Sequence, residues 1–327
     1  MKILQILSMY HPKGEETLRK SAEVIQTNNY DPEHVKKLLQ GVDGIVLRAP
    51  GFINAEILNE ATTVKAISGA GVGLDNIDVQ YATKKGIPIL HAPKVNTDST
   101  AEHAISLMFA LMKKLLPLHT EMIKGNFSYR NSLFTNELIG KRLGLVGFGT
   151  IAQKVAKVCS IGLGMEVISY VRRIDEEKLK RAKELNVKLS QNLSEVMETS
   201  DIISLHIPLT NDTKKLITYD LLSSMKPTAY FINTARGGVV DENGLCRILK
   251  EKKIAGAGID VYTQEPPSPD HPLYHLDNVL LTPHVGGISE EAAEKSSVLV
   301  AENLLATING ERPKHIANPE VYKESVN

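Results

Sequence analysis

Short apolar runs alternate with stretches of helical apolar spacing along most of the chain. Strand-like runs fall at residues 2–7, 44–47, 64–68, 87–90, 142–146, 166–170, 201–205, 229–232, 255–259 and 279–281. Many are continuous rather than alternating, which is how strands read when both faces of a sheet are covered. Strands alternating with helices in this way predict an α/β fold of parallel, doubly wound sheets. The runs form two blocks, before and after about residue 100 of the 327. At roughly 100–200 residues per domain, the length also predicts two domains.

A long helical pattern marks the boundary. Ser99 is a candidate N-cap, and Glu102 three residues later has the spacing of a capping box. Ala104, Ile105, Leu107, Met108, Phe109, Leu111, Met112, Leu115 and Leu116 follow, and Pro117 is expected to stop the helix. The pattern is apolar nearly all round, so the helix should be buried on most sides, as a helix lodged between two domains would be. Its surplus of apolar surface predicts a homodimer. A second long helix is expected over about residues 290–309, ending at Gly310 with Pro313 beyond. The tail, 313–327, is too short for a domain and should pack back on the first block. The second block is therefore expected as an insertion: residues 1–98 with 286–327 in one domain, 99–285 in the other.

Composition narrows the class. Hydrophobic residues are 42% and charged residues 23%, an ordinary globular balance. With 38 basic and 38 acidic residues, the chain has no electrostatic footprint for nucleic acid or an anionic membrane. No run approaches the ~18 apolar residues of a membrane span. The apolar run at the N-terminus is broken by Gln5 and is too short for the core of a signal peptide. Cys159 and Cys246 are the only cysteines, too few for a disulfide framework and compatible with a reducing compartment. A cytoplasmic location is expected, with no nucleic-acid or membrane partner and no metal site.

Chemistry enters at residues 147–152. Gly147-Phe148-Gly149-Thr150-Ile151-Ala152 follows an expected strand and opens a helix with Ile151, Val155, Val158 and Ile161 on one stripe. This is the Rossmann dinucleotide fingerprint, with Ala in its third position. The first Gly makes the turn, and the second admits the pyrophosphate. The helix N-terminus presents N–H groups and partial positive charge to the anion. An NAD site places Asp or Glu at the end of the next strand, for the ribose hydroxyls. Here Val171 occupies that place, with Arg172 and Arg173 behind it. Arginines there can pair with a 2′-phosphate, so NADP(H) is favoured over NAD(H). The alternative is that both are merely solvated cations.

Three further segments follow expected strands: Asn233-Thr234-Ala235-Arg236-Gly237-Gly238, then 258–266 with Asp260 and Glu265, then Thr282-Pro283-His284-Val285-Gly286-Gly287. Ligands bind at the carboxyl ends of strands in open α/β sheets, so the three can converge on one cleft. Together with Ala70-Gly71-Val72-Gly73-Leu74-Asp75, Asn96-Thr97, Ala101-Glu102-His103 and His206-x-Pro208, they make the chain resemble the D-isomer-specific 2-hydroxyacid dehydrogenases. Within that family it is most similar to the phosphoglycerate dehydrogenase and hydroxypyruvate (glyoxylate) reductase branch.

The resemblance implies a Rossmann dinucleotide-binding domain inserted into a flavodoxin-like substrate domain, and hydride transfer between a nicotinamide cofactor and a small 2-oxo or 2-hydroxy acid. The family's catalytic Arg, Glu and His fall on Arg236, Glu265 and His284. Arg236 can clamp a carboxylate and polarise the neighbouring carbonyl, and His284 can exchange the proton. Glu265 can raise the histidine's pKa. By resemblance, His206, Ile207, Pro208, Thr234, Ala235, Asp260, Gly286 and Gly287 belong to the cofactor site, with Asp260 orienting the nicotinamide amide. Arg48, Ala70, Gly71, Val72 and Asn96 are the substrate candidates, Asn96 at the domain hinge.

Two departures bear on the substrate. The phosphoglycerate enzymes usually carry an arginine where this chain has Gly69, although Arg48 is kept. Many of them also carry a C-terminal regulatory domain, for which this sequence leaves no room. A small unphosphorylated oxo acid such as glyoxylate or hydroxypyruvate thus joins 3-phosphoglycerate as a candidate. Formate dehydrogenases, which move no proton, resemble the family with Gln in place of the Glu, so Glu265 points to proton-coupled reduction. A different class of reading is a dinucleotide-sensing corepressor on the same fold.

Overall fold

The computed structural model describes residues 1–322; residues 323–327, the last part of the expected tail, lie outside the described residues. The chain forms two compact units, Met1–Asn96 with Ile288–Asn327, and Thr97–Gly287. The breaks lie two residues before and two residues after the expected ones.

In the first unit, β1 (Lys2–Ile6), β2 (Glu23–Thr27), β3 (Gly44–Leu47), β4 (Ala66–Gly69) and β5 (Ile89–Leu90) form a sheet in the order β2-β1-β3-β4-β5. All its pairings are parallel. This is the flavodoxin-like order. Successive residues of one strand serve different cores. Leu4, Ile6, Ile45, Leu47, Ile67 and Ile89 join Val35, Ile57 and Leu58 on one face. Ile3, Val46, Ala66 and Leu90 meet Val300, Leu304 and Ile308 of the Glu290–Ile308 helix on the other. Covering both faces is what makes these strands read as continuous apolar runs.

The Glu290–Ile308 helix is capped by Ser289, whose side chain accepts from Ala292 N, and it stops before Gly310 at φ +92°. The tail then returns to the sheet. Ile316 bridges Leu90, and the buried Asn318 accepts from Ile89 N while donating to Ile87 O and Thr83 Oγ1.

In the second unit, β6 (Arg142–Val146), β7 (Glu166–Tyr170), β8 (Val187–Ser190), β9 (Ile202–Leu205), β10 (Tyr230–Asn233), β11 (Gly256–Ile259) and β12 (Val279–Leu281) form a parallel sheet. Its order is β12-β11-β10-β9-β6-β7-β8. Counting β6 as the first strand, this is the Rossmann order with a seventh strand added. Cores again lie on both faces, one around Leu143, Leu145, Ile202 and Ile232, the other around Val146, Ile203, Phe231 and Ile259.

The boundary helix differs from its expectation. It spans Thr97–Met112, so Ser99 lies inside it rather than capping it, and Ser99 Oγ donates to Gly286 O at 2.8 Å. It ends because Lys114 adopts a left-handed conformation (φ 50°), from which a second helix, Leu115–Ile123, departs. Pro117 sits in the first turn of that second helix, where a missing N–H costs nothing, and so does not act as the stop. Burial is also one-sided. Ala101, Ala104, Leu107, Met108 and Met112 are buried, but the Leu115–Ile123 helix buries none of its residues, and Leu115 and Leu116 are each 54% exposed.

Candidate active site

All strands of the second unit are parallel, so every loop after a strand leaves the same edge of the sheet. The order reverses at β6, which lies between β9 and β7. A sheet of this kind places its ligand at that reversal.

The glycine loop begins there. Gly147 has φ +102°, and a Cβ on it would lie 2.6 Å from His206 O and 2.7 Å from Ile207 Cγ2. Only glycine allows the end of β6 to run this close to the end of β9. Ser169 Oγ holds the Gly147 carbonyl at 3.0 Å, and Gln153 Nε2 holds that of Phe148 at 3.0 Å. Gly149 has open space where a side chain would stand, and it heads the helix starting at Thr150 with no side-chain cap. Thr150 and Ile151 form the first turn. Across the edge, the buried Thr234 Oγ1 has no hydrogen-bond partner. A closely approached glycine loop, an uncapped helix start and an orphaned hydroxyl together fit a dinucleotide's phosphates and ribose.

At the strand-end position after β7 stands Val171, followed by Arg172 and Arg173. Val171 is 5% exposed and joins the core, so it offers no side chain to a ribose. Its N–H is tied to Ser190 O. Arg172 and Arg173 are exposed, and Arg172 Nη1 lies 2.9 Å from Asp212 Oδ2. After β9, His206 takes a hydrogen bond with Ser204 Oγ at 2.9 Å, and burial lowers its pKa to about 4, so it is neutral near pH 7. Pro208 O accepts from Thr213 Oγ1 at 2.6 Å.

The other three loops meet. After β10, Asn233 braces its own turn, its Oδ1 accepting from Ala235 N and its Nδ2 donating to Arg236 O. Arg236 Nη1 reaches Ala235 O at 2.7 Å. A Cβ on Gly237 would lie 2.0 Å from the Tyr262 carbonyl carbon, so the arginine's loop packs backbone to backbone against the loop after β11. That loop supplies Glu265, whose Oε1 accepts from Tyr262 N at 3.0 Å and whose Oε2 lies 2.6 Å from His284 Nδ1. With Nδ1 engaged, Nε2 is the ring nitrogen left for chemistry.

His284 itself has φ +55°, which side chains other than glycine rarely adopt. Asp260 holds it there. Its carbonyl accepts from His284 N at 2.8 Å, its Oδ1 from Thr282 Oγ1 at 2.5 Å and Val285 N at 2.9 Å, and its Oδ2 from Gly286 N at 2.9 Å. His103 Nε2 lies 3.4 Å from Asp260 Oδ1 and 3.0 Å from Thr282 Oγ1. Tyr262 Oη adds a bond to Thr282 O at 3.1 Å. Gly287 closes the unit.

The charges follow from this packing. The Glu265 hydrogen bond raises the pKa of His284 above its ordinary value, against burial and the repulsion of Arg236. Burial pushes Glu265 up, but the bonds from His284 and Tyr262 N outweigh it and hold its carboxyl below the usual range. Asp260 is likewise lowered, because His103, Thr282, Val285 and Gly286 outweigh its burial. His284, Glu265 and Arg236 thus combine a proton-exchanging imidazole, a fixed anion and a fixed cation.

The first unit gathers a smaller group. Arg48 lies over the Tyr10 ring at 5.3 Å, with its Nε on Ser8 O at 2.6 Å, and Tyr10 stands beside Gly71, 3.8 Å from where a Cβ would be. The Val72 backbone bonds to the His91 side chain, whose pKa burial lowers. Ala70 is buried, with its N–H on Leu47 O and its carbonyl accepting from Ser296 Oγ. Asn96 is the last residue of this stretch and partly buried.

Sequence reasoning did not single out Tyr10, His103, Thr282, Tyr262 or Asp212. The motifs around His103 and Thr282 carried a signal. Tyr262 likewise lies in the 258–266 segment, whereas Tyr10 and Asp212 carried none, because only the fold brings them to their partners. Among the described residues no group of three or more His, Cys, Asp or Glu side chains could hold a metal ion, and no helix is long and apolar enough to cross a membrane.

Residues 105–286 match the NAD binding domain of the D-isomer specific 2-hydroxyacid dehydrogenase family. The chain is 38% identical over 319 residues to a glyoxylate reductase of Thermofilum pendens, covering 95% of this chain and 92% of that one. It is 35% identical over 327 residues to a D-3-phosphoglycerate dehydrogenase of Methanocaldococcus jannaschii, but spans 61% of that protein's length. Its structure superimposes with a TM-score of 0.87 on an NADPH-dependent glyoxylate/hydroxypyruvate reductase of Sinorhizobium meliloti solved with NADP and malonate. That pair shares 26% identity, over 100% of this chain and 99% of the other. These relatives are named for catalysis, which does not favour the corepressor reading. The chain belongs to the D-isomer-specific 2-hydroxyacid dehydrogenases, enzymes that use a nicotinamide cofactor to act on the CH–OH group of a 2-hydroxy acid.

Proposed function

We propose that this chain is an NADPH-preferring reductase of small, unphosphorylated 2-oxo acids, of the glyoxylate and hydroxypyruvate class, with His284 as its acid and base. The observation that carries the reading is the 2.6 Å contact of His284 Nδ1 with Glu265 beside Arg236. Arg236 clamps the substrate carboxylate and polarises its carbonyl. His284 Nε2 gives a proton to the carbonyl oxygen in reduction and takes it back in oxidation. Glu265 keeps the imidazolium accessible near neutral pH. Bound nicotinamide supplies or accepts the hydride.

On this reading Thr97–Gly287 is the dinucleotide-binding unit and the other the substrate-binding unit. Gly147, Phe148, Gly149, Thr150 and Ile151 hold the pyrophosphate. His206, Ile207, Pro208, Thr234, Ala235, Asp260, Gly286 and Gly287 contribute the rest of the cofactor site. Arg48, Gly71, Val72 and Asn96 serve the substrate.

Against a phosphorylated substrate stand Gly69 in place of an arginine and the commitment of Arg48 Nε to Ser8 O. The likeness to two reductases of glyoxylate supports the unphosphorylated class. Exposed Arg172 and Arg173, with Val171 turned inward, support NADPH. Exposed Leu115, Leu116, Met122 and Ile123 on one helix support a homodimer that covers them. Cys159 and Cys246, both free, support a cytoplasmic location.

Steady-state rates with NADPH and NADH on glyoxylate, hydroxypyruvate and 3-phosphohydroxypyruvate test the reading. Turnover confined to the phosphorylated acid, or a preference for NADH, defeats the corresponding part of it. A monomeric mass in solution defeats the dimer.

A further inference from the structure

In the sheet, β6 lies between β7 and β9. Arg172 follows the end of β7, and Asp212 stands in the loop after β9. Their 2.9 Å ion pair therefore crosses over the carboxyl end of β6, where the glycine loop begins. Each partner comes from a braced backbone. Gln191 Nε2 donates to Arg172 O at 3.1 Å. The turn carrying Asp212 is closed by Thr213 Oγ1, which accepts from Thr210 N at 2.7 Å and donates to Pro208 O at 2.6 Å. The two side chains are 74% and 76% exposed, so the pair is solvated and readily opened.

We propose that Asp212 sets the cofactor preference by competing with the 2′-phosphate for Arg172. The inference rests on the reading that Arg172 recognises that phosphate. A 2′-phosphate carries close to two negative charges near pH 7 and must draw Arg172 away from Asp212 while it is repelled by the same carboxylate. A 2′-hydroxyl does neither, and it can donate a hydrogen bond to a carboxylate. Arg172 thus favours the phosphorylated dinucleotide and Asp212 the unphosphorylated one. Asp212 also supplies, from across the sheet reversal, the carboxylate that the end of β7 lacks.

Calorimetric titration of adenosine 2′,5′-bisphosphate and of 5′-AMP into the full chain tests this without turnover. Asp212→Asn should tighten the bisphosphate about fivefold at low ionic strength, less at ~0.5 M salt, and change 5′-AMP by less than about twofold. The gain should largely vanish in an Arg172→Ala background. If Asp212→Asn moves both ligands equally, or neither, the competition is refuted while Arg172 can still read the phosphate. If Arg172→Ala alone weakens both ligands equally, the phosphate reading falls and the inference with it.

Discussion

Two corners of the same sheet edge are built to opposite standards. At the ends of β10, β11 and β12, Asp260 is 1% exposed and accepts from a hydroxyl and two backbone N–H groups, while its own carbonyl holds His284 N. At the end of β7, Arg172 meets Asp212 in water. The first corner fixes a histidine in a left-handed backbone conformation that costs about 1–2 kcal/mol, and the surrounding bonds hold it there. The second leaves its side chains to the solvent. Groups that exchange protons need a fixed geometry, whereas groups that select a phosphate need only charge within reach. Changes should accordingly damage rate and stability together in one corner, and selectivity alone in the other.

The largest expected effect is that of His284→Ala. It should cut kcat for 2-oxo acid reduction by ~10²-fold or more with dinucleotide affinity retained. A single-turnover rate matching the parent would break the assignment.

Asp260→Asn comes next. One of its oxygens becomes an NH₂ facing N–H or O–H donors, so the loop of residues 282–286 should lose stability by about 1–3 kcal/mol. kcat should fall roughly tenfold through the displaced histidine. A melting temperature unchanged from the parent would show that the corner is not held by this carboxylate.

Glu265→Gln sharpens the comparison through pH. Reduction needs protonated His284, and its raised pKa carries that form to higher pH, so the rate falls as pH rises through the raised value. Removing the anion should move this descending limb to lower pH, and the ascending limb of oxidation with it. A profile that stays in place would separate Glu265 from the titration.

The smallest effect on the fold is expected from Arg172→Ala with Arg173→Ala. Stability should change by no more than about 0.5 kcal/mol. The NADPH-to-NADH ratio of kcat/KM should nonetheless fall by about tenfold. Equal loss with both cofactors would erase the distinction between the corners.

How much of this could be read from the sequence depends on burial. Strands covered on both faces, such as Gly44–Leu47 and Arg142–Val146, announce themselves as unbroken apolar runs. Glu23–Thr27 and Val187–Ser190 lie at sheet edges, mix polar and apolar residues, and give no such run. Pro117 was legible as a discontinuity, but a proline ends one helix or begins another with equal ease, and the left-handed Lys114 decided which. Arg236, Glu265 and His284 were found because each sits in a motif. Asp212 was not, because its meaning depends on the reversal of strand order that places it opposite Arg172.

The hydrogen bond between Ser99 and Gly286 joins the second residue after the entry of the Thr97–Gly287 unit to the second-last residue before its exit. Its two ends therefore lie close together. An insert with touching ends imposes little loop-closure entropy on its host. Touching ends are also the geometry that circular permutation or grafting of a domain requires.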